Sequence, residues 1–293
     1  MPPSALALIV LAGLIHASWN IAAKKAGGDS RFAAFTGFVM MIFWAPLGIW
    51  LGIAQIPAWG RAEWLLIVAS ATLHTIYFIV LLRGYRKADL TVVYPLARGS
   101  GPLLSSLAAI FFFGESISGF GVAGIAGVVV GVFLVAGGPG LWRASHEPGL
   151  RQRVRKGMVY GLLSGAVIAG YTLVDGYGVK FLLMSPILID YIGNLFRMTL
   201  LAPVVLRDVP AARAMWKAQR KYALYVGIIS PVSYVLVLYA MQTAPLSHVA
   251  PAREVSMLFA ALIGGHLLGE SDRGVRVLGA AFIAAGVMAL ALA

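Results

Sequence analysis

Apolar residues along this chain do not alternate with polar ones; they run in blocks of about 20, the length a helix needs to cross the hydrocarbon of a bilayer. Short clusters of glycine, proline and charge separate the blocks. Cutting the chain at that punctuation predicts ten helical spans, over residues 3–23, 32–53, 63–84, 89–113, 117–138, 157–179, 186–206, 221–242, 246–268 and 274–292. The connections are short apart from Arg143–Lys156 and Arg207–Arg220, and they hold no separate soluble domain. The alternating ten-residue segments of an outer-membrane barrel are missing, so the expected fold is an all-α integral membrane protein. The first span has no basic stretch ahead of its apolar run and reads as a retained helix, not a cleaved signal.

The pattern also repeats. Thr91, Val93 and Pro95 return as Ser247, Val249 and Pro251, and Arg98, Gly114, Glu115 and Ser116 return as Arg253, Gly269, Glu270 and Ser271. Ala45-Pro46-Leu47 matches Ala202-Pro203-Val204, and Gly13, Ala17 and Trp19 match Gly165, Ala169 and Tyr171. The unit is therefore five spans. An odd number sends the second copy in from the opposite face, which predicts two inverted five-helix repeats around a central cavity. The expected division is residues 1–142, a basic linker 143–156, and residues 157–293.

Composition agrees: 60% of residues are hydrophobic and 12% charged, against about a quarter charged in soluble domains. The net charge of +12 invites a nucleic-acid reading, but its placement argues against one. Eighteen of the 23 Lys and Arg fall on one side of the predicted spans, and only Arg61 and Lys180 on the other. By the positive-inside rule the basic side is cytoplasmic and both termini face outward, so the charge reports topology. The chain has no cysteine, which excludes disulfides, thiol catalysis and Cys-ligated metals. No His-Glu-x-x-His, Gly-x-Ser-x-Gly or Gly-x-x-x-x-Gly-Lys motif occurs. Neither an enzyme, nor a resident metal, nor a cofactor is expected.

With a proline in spans four and nine and a Gly-Glu turn before spans five and ten, the chain resembles the drug/metabolite transporter superfamily over its whole length. Within it the chain is most similar to the EamA-type ten-span exporters, and among these to the YddG-type amino-acid exporters. The resemblance implies a basket of spans one to four and six to nine around the cavity, with spans five and ten outside it. It implies a bacterial inner-membrane secondary transporter that exports aromatic and other neutral amino acids and related metabolites by alternating access. Spans five and ten are rich in glycine (Gly121, Gly124, Gly127, Gly131; Gly279, Gly286), which suits close helix packing as scaffold or subunit contact; the chain is expected to be a monomer or a weak homodimer.

Residues three and four apart share a helix face, and on that test the intramembrane polar groups form stripes. The expected substrate-facing set is Trp19, Asn20, His74, Tyr77, Tyr94, Arg98, Tyr171, Asp175, Tyr234, Arg253 and Glu254. Arg98 lies about nine residues into its span, roughly 13 Å deep, and Arg253 is about as deep from the other face. An arginine fork suits a carboxylate, either a substrate's or that of Glu254 or Asp175 in an ion pair; the sequence leaves both open. Pro95 and Pro251 free the carbonyls of Thr91 and Ser247 and are candidate hinges, or static kinks. His16, His74, Asp175 and Glu254 lie where titration is possible, so protons join small-molecule substrates and the bilayer as expected partners. Glu115 and Glu270 are expected to cap helices and offset helix dipoles at their turns. The runner-up function is a multidrug or quaternary-cation exporter, which needs an unpaired carboxylate facing aromatics; a channel or scaffold is the alternative from another class.

Overall fold

In a computed structural model of the protein, the described residues are 1–27, 30–88, 90–135, 151–268 and 273–293. They are almost entirely helical, with no strand among them. In chain order the helices are α1 (Pro3–Ala26), α2 (Ser30–Phe43), α3 (Ala45–Gln55), α4 (Arg61–Lys87), α5 (Leu90–Phe113), α6 (Gly119–Val135), α7 (Arg151–Lys180), α8 (Pro186–Leu206), α9 (Val209–Thr243), α10 (Leu246–Ala252), α11 (Val255–Leu268) and α12 (Arg273–Leu292). Among the described residues, α1, α4, α5, α7, α9 and α12 are long and apolar enough to cross a membrane. The α2–α3 pair makes a seventh crossing if taken as one bent span. The other three expected spans are shorter or more polar. α6 has 17 residues, α8 carries Asp190, Asn194 and Arg197, and the ninth is divided into α10 and α11.

Several boundaries differ from the expected ones, each for a local reason. Span two is not straight: α2 ends before Trp44, and α3 leaves at 63° with Pro46 in its first turn, a position where a missing N–H costs nothing. The basic stretch Arg207–Arg220, expected as a connection, is mostly the start of α9, opened by Asp208, whose carboxylate accepts from the Ala211 N–H at 3.1 Å. Arg151–Lys156 likewise belong to α7 and not to a linker. The break in span nine falls at Arg253 and Glu254, two residues beyond Pro251. The Ser247 carbonyl released by that proline does not line the cavity; it accepts from the Ser106 hydroxyl of α5 at 2.8 Å. A buried carbonyl must find a donor, and here the other half of the chain supplies it.

The packing is nearly unchanged when the two halves are exchanged. α5 lies against α7 as α1 lies against α11; α4 against α7 as α1 against α9; and α4 against α8 as α2 against α9. α6 packs on α12, outside the basket, as two equivalent fifth spans. The Met1 amino group donates to the Ala291 carbonyl at 3.0 Å, so both chain ends lie on one face.

The α6–α12 seam depends on absent side chains. A Cβ on Gly131 would stand 2.6 Å from the Gly279 carbonyl oxygen and 2.7 Å from the Ile283 nitrogen, and backbone cannot yield as a side chain can. We expect Gly131→Ala to push the helices apart and destabilise the protein by about 1–3 kcal/mol, the usual cost of overpacking. Thermal unfolding in detergent measures this, with Gly274→Ala, where a Cβ meets nothing within 4 Å, expected to leave the midpoint unchanged.

The apolar core is unevenly placed. Ala5 and Ile9 of α1, Leu66 and Ile67 of α4, Val179 of α7, Leu188 and Ile189 of α8, Leu238 and Met241 of α9 and Val249 of α10 form one buried cluster. All lie toward the face that carries the chain ends. In the basic-face half, Ala26 of α1, Phe32 of α2 and Ala223 and Val226 of α9 form a smaller second cluster, and the space beside it is open.

Candidate functional site

A cavity of about 460 Å³ occupies that half, within the range of small-molecule sites. It runs from Arg98 and Tyr234 at mid-bundle to Ala33, Leu81 and Leu201, near the basic ends of their helices. Of the expected set, Trp19, Asn20, His74, Tyr77, Arg98, Tyr171, Tyr234 and Arg253 line it, and α3, α6 and α12 contribute nothing. Tyr94 and Pro95 lie in the helical backbone of α5, but their side chains are outside the described residues. Asp175 and Glu254 are corrections: each lies behind the wall, 0% and 1% exposed, holding a residue that does face the cavity.

Glu254 is the hinge of the charge arrangement. Arg98 reaches its Oε2 at 2.8 Å, and Arg253 approaches its Oε1 through Nε at 3.8 Å. Two guanidinium groups thus converge on one carboxylate. Arg98 also donates to the Ser256 hydroxyl at 3.2 Å. Arg253 is held more loosely, with its other contact to the Tyr171 hydroxyl at 3.4 Å. Both arginines come to the centre for the reason their repeat suggested: inverted copies place equivalent residues at equal depth. The ion pairs left open by the sequence are formed, and the second positive charge exceeds what Glu254 can neutralise.

Around these charges stand aromatic rings. Tyr171 stacks on His74 with centroids 4.0 Å apart, Tyr77 meets Tyr171 edge-on at 5.9 Å, and Tyr234 meets His74 edge-on at 5.7 Å. The Trp19 indole donates to the Ser233 hydroxyl at 3.1 Å, fixing α1 to α9. The Asn20 amide donates back to the His16 carbonyl of its own helix at 2.9 Å. The wall includes residues outside the expected set. Arg197 pairs with Asp190 at 3.3 Å, and the Asn194 amide donates to the Gly37 carbonyl at 2.9 Å; all three lie on the polar stripe of α8. Ser256 had no signal, because a serine in an apolar helix is commonplace.

The opposite face is sealed by Glu115, in the turn between α5 and α6. Its carboxylate accepts from the Leu246 and Ser247 N–H groups, both at 2.8 Å, and from Lys180 Nζ at 3.0 Å. Glu115 therefore does cap a helix, but the cap is on α10 in the other half of the chain and not on its own span; Glu270 lies outside the described residues. Burial opposes the charge, yet the donors from Ser247, Leu246 and Lys180 outweigh it and hold the carboxyl below its ordinary range. The geometry is a cavity open toward the basic face and closed beneath the chain ends.

Two comparisons bear on this arrangement. A model of the EamA-like transporter family matches residues 3–137 and again residues 155–292, one copy on each half. A solved crystal structure aligns over 100% of this chain and 98% of its own, with a TM-score of 0.74 at 17% identity, a likeness of fold.

Proposed function

Since the chain belongs to the EamA-like transporter family, and so is a multi-pass membrane transporter of the drug/metabolite superfamily, we propose that it exports amino acids, aromatic and other neutral ones, with related small metabolites, by alternating access. The observation that carries this reading is the pair of guanidinium groups sharing Glu254 at the head of a tyrosine-lined cavity. A substrate carboxylate in the cavity meets Arg253, which Glu254 only partly neutralises, and charge-assisted contacts of this kind are among the strongest available to a small ligand. Tyr77, Tyr171 and Tyr234 offer flat faces to an apolar or aromatic side chain. With the basic face cytoplasmic by the positive-inside rule in a bacterial inner membrane, the open cavity loads from the cell interior. Exchange between two equivalent packings of the halves then moves it to the outside, with Pro95 within α5 and the break after Pro251 as hinges.

The multidrug or quaternary-cation reading is weaker on the same geometry. Asp175 and Glu254 are covered and Asp190 faces Arg197, so among the described residues of the cavity no carboxylate stands ready for a cation. In proteoliposomes loaded with one labelled aromatic amino acid, unlabelled neutral amino acids should compete and their amides, lacking the carboxylate, should not. Competition by quaternary cations with none by amino acids would replace this reading with the other.

A further inference from the structure

Behind the cavity wall, Asp175 of α7 is fully buried and accepts a hydrogen bond at Oδ2 from the Tyr234 hydroxyl of α9. His74 of α4 directs Nε2 at the same oxygen from 4.0 Å. The other ring nitrogen, Nδ1, lies 2.9 Å from the Ser70 carbonyl oxygen. A carbonyl only accepts, so Nδ1 carries the ring proton and, in the neutral imidazole, Nε2 presents a bare lone pair. A bare nitrogen at the cavity wall and a fully covered carboxylate oxygen behind it thus face each other, an arrangement that one added proton converts into an N–H···O pair. Asp175 Oδ1 has no hydrogen-bond partner among the described residues, with the Ser70 hydroxyl beside the carboxyl group.

We propose that His74, Asp175 and Tyr234 form a binding site for one proton, and that this proton and the substrate exclude one another, so that the protein exchanges substrate for protons. The proposal deepens the transport reading and rests on it for the substrate, but not for the proton. His74 and Tyr234 line the cavity; an amino acid with its carboxylate toward Arg253 turns its ammonium group toward them. An ammonium there and a proton between His74 and Asp175 are like charges in adjoining positions of low dielectric, where repulsion is strong. The remaining charged groups around the site are Arg197 and Asp190 of α8 and Arg253 at the α10–α11 break. Arg253 connects to His74 through Tyr171, which stacks on the imidazole and contacts the guanidinium. The proton is taken from water at one face and released at the other, and no bond other than the N–H or O–H forms or breaks.

Two measurements on the purified full-length protein test this. The first uses no substrate: infrared difference spectra between acidic and neutral pH should contain a carboxyl band that is missing in Asp175→Asn and shifted in His74→Gln. Identical spectra in all three proteins overturn the proton site, whatever the protein transports. The second is transport in proteoliposomes with a labelled aromatic amino acid. Accumulation driven by a pH gradient should fall about tenfold in Asp175→Asn, inside the usual range of coupling between two sites, while exchange of labelled for unlabelled amino acid persists. Full gradient-driven accumulation in the variant overturns the coupling. An absence of amino-acid exchange in the wild type removes the proposed substrate while the infrared result still decides the proton site. Should Asp175→Asn not fold, Asp175→Ser takes its place in both measurements, with His74→Gln kept for the infrared comparison alone.

Discussion

Arg253→Ala is expected to lower amino-acid transport by about a hundredfold while leaving a folded protein, whereas Arg98→Ala is expected to damage the fold itself. The two arginines occupy equivalent places in the repeat but are held differently. Arg98 is buried, with Glu254 at 2.8 Å and Ser256 at 3.2 Å. Removing it deprives Glu254 of its nearest cation in a site 1% exposed, and stranding one partner of a buried pair costs about 3–5 kcal/mol. Arg253 gives up a contact of 3.8 Å to Glu254 and one of 3.4 Å to Tyr171, so the fold loses little. What it takes away, under the proposed function, is a charge-assisted pair with the substrate, about 2–3 kcal/mol of binding. Transport assays combined with thermal unfolding in detergent separate the two effects. Normal transport by a folded Arg253→Ala protein would remove the arginine from the substrate site.

Glu115→Gln is expected to open the sealed face. The amide keeps the shape but loses the charge that attracts Lys180 and favours the α10 N-terminus, and it cannot accept equally well at both former oxygens. Hydrogen bonds to a charged group contribute about 1.5–3 kcal/mol each, enough to shift a balance between open and closed states by tenfold or more. The same latch has a pH signature. Because its carboxyl is held below the ordinary range in the folded protein, its stabilisation is fully present above the glutamate's unfolded value. It is lost as the pH falls through the lower, folded one. Acidification below the usual carboxylate range is therefore expected to loosen the chain-end face of the wild type and to change Glu115→Gln far less. Protease susceptibility of that face as a function of pH measures both.

The helices and the inverted pairing were legible because lipid imposes a simple rule on each span, and duplication wrote the rule twice. Arg98 and Arg253 were legible for the same reason: a charge among apolar residues is costly enough to need a purpose. Their partner Ser256 was not, because nothing about a serine in an apolar helix marks it. Asp175 was visible as a buried carboxylate, but its place behind Tyr234 depends on how α7 and α9 meet. The role of Glu115 was hidden more deeply. Its donor on Leu246 is 131 residues away, and a Gly-Glu-Ser turn reads locally as a cap for the helix that follows. The basic start of α9 resembles a connection in the sequence because dense charge is common in loops, whereas an Asp208 cap and a water-facing position allow a helix to continue beyond the bilayer.

Alternating access of the proposed kind requires one cavity that faces the basic side at rest and the chain-end side after the halves exchange places. The native chain has no cysteine, so a single thiol introduced at Ser230, on the cavity wall, reports access without interference. A membrane-impermeant maleimide should modify Ser230→Cys from the basic face in the resting protein and from the chain-end face once Glu115→Gln is added, with substrate protecting in each case. Modification from both faces at once in the resting protein, or from the basic face alone throughout active transport, would contradict it.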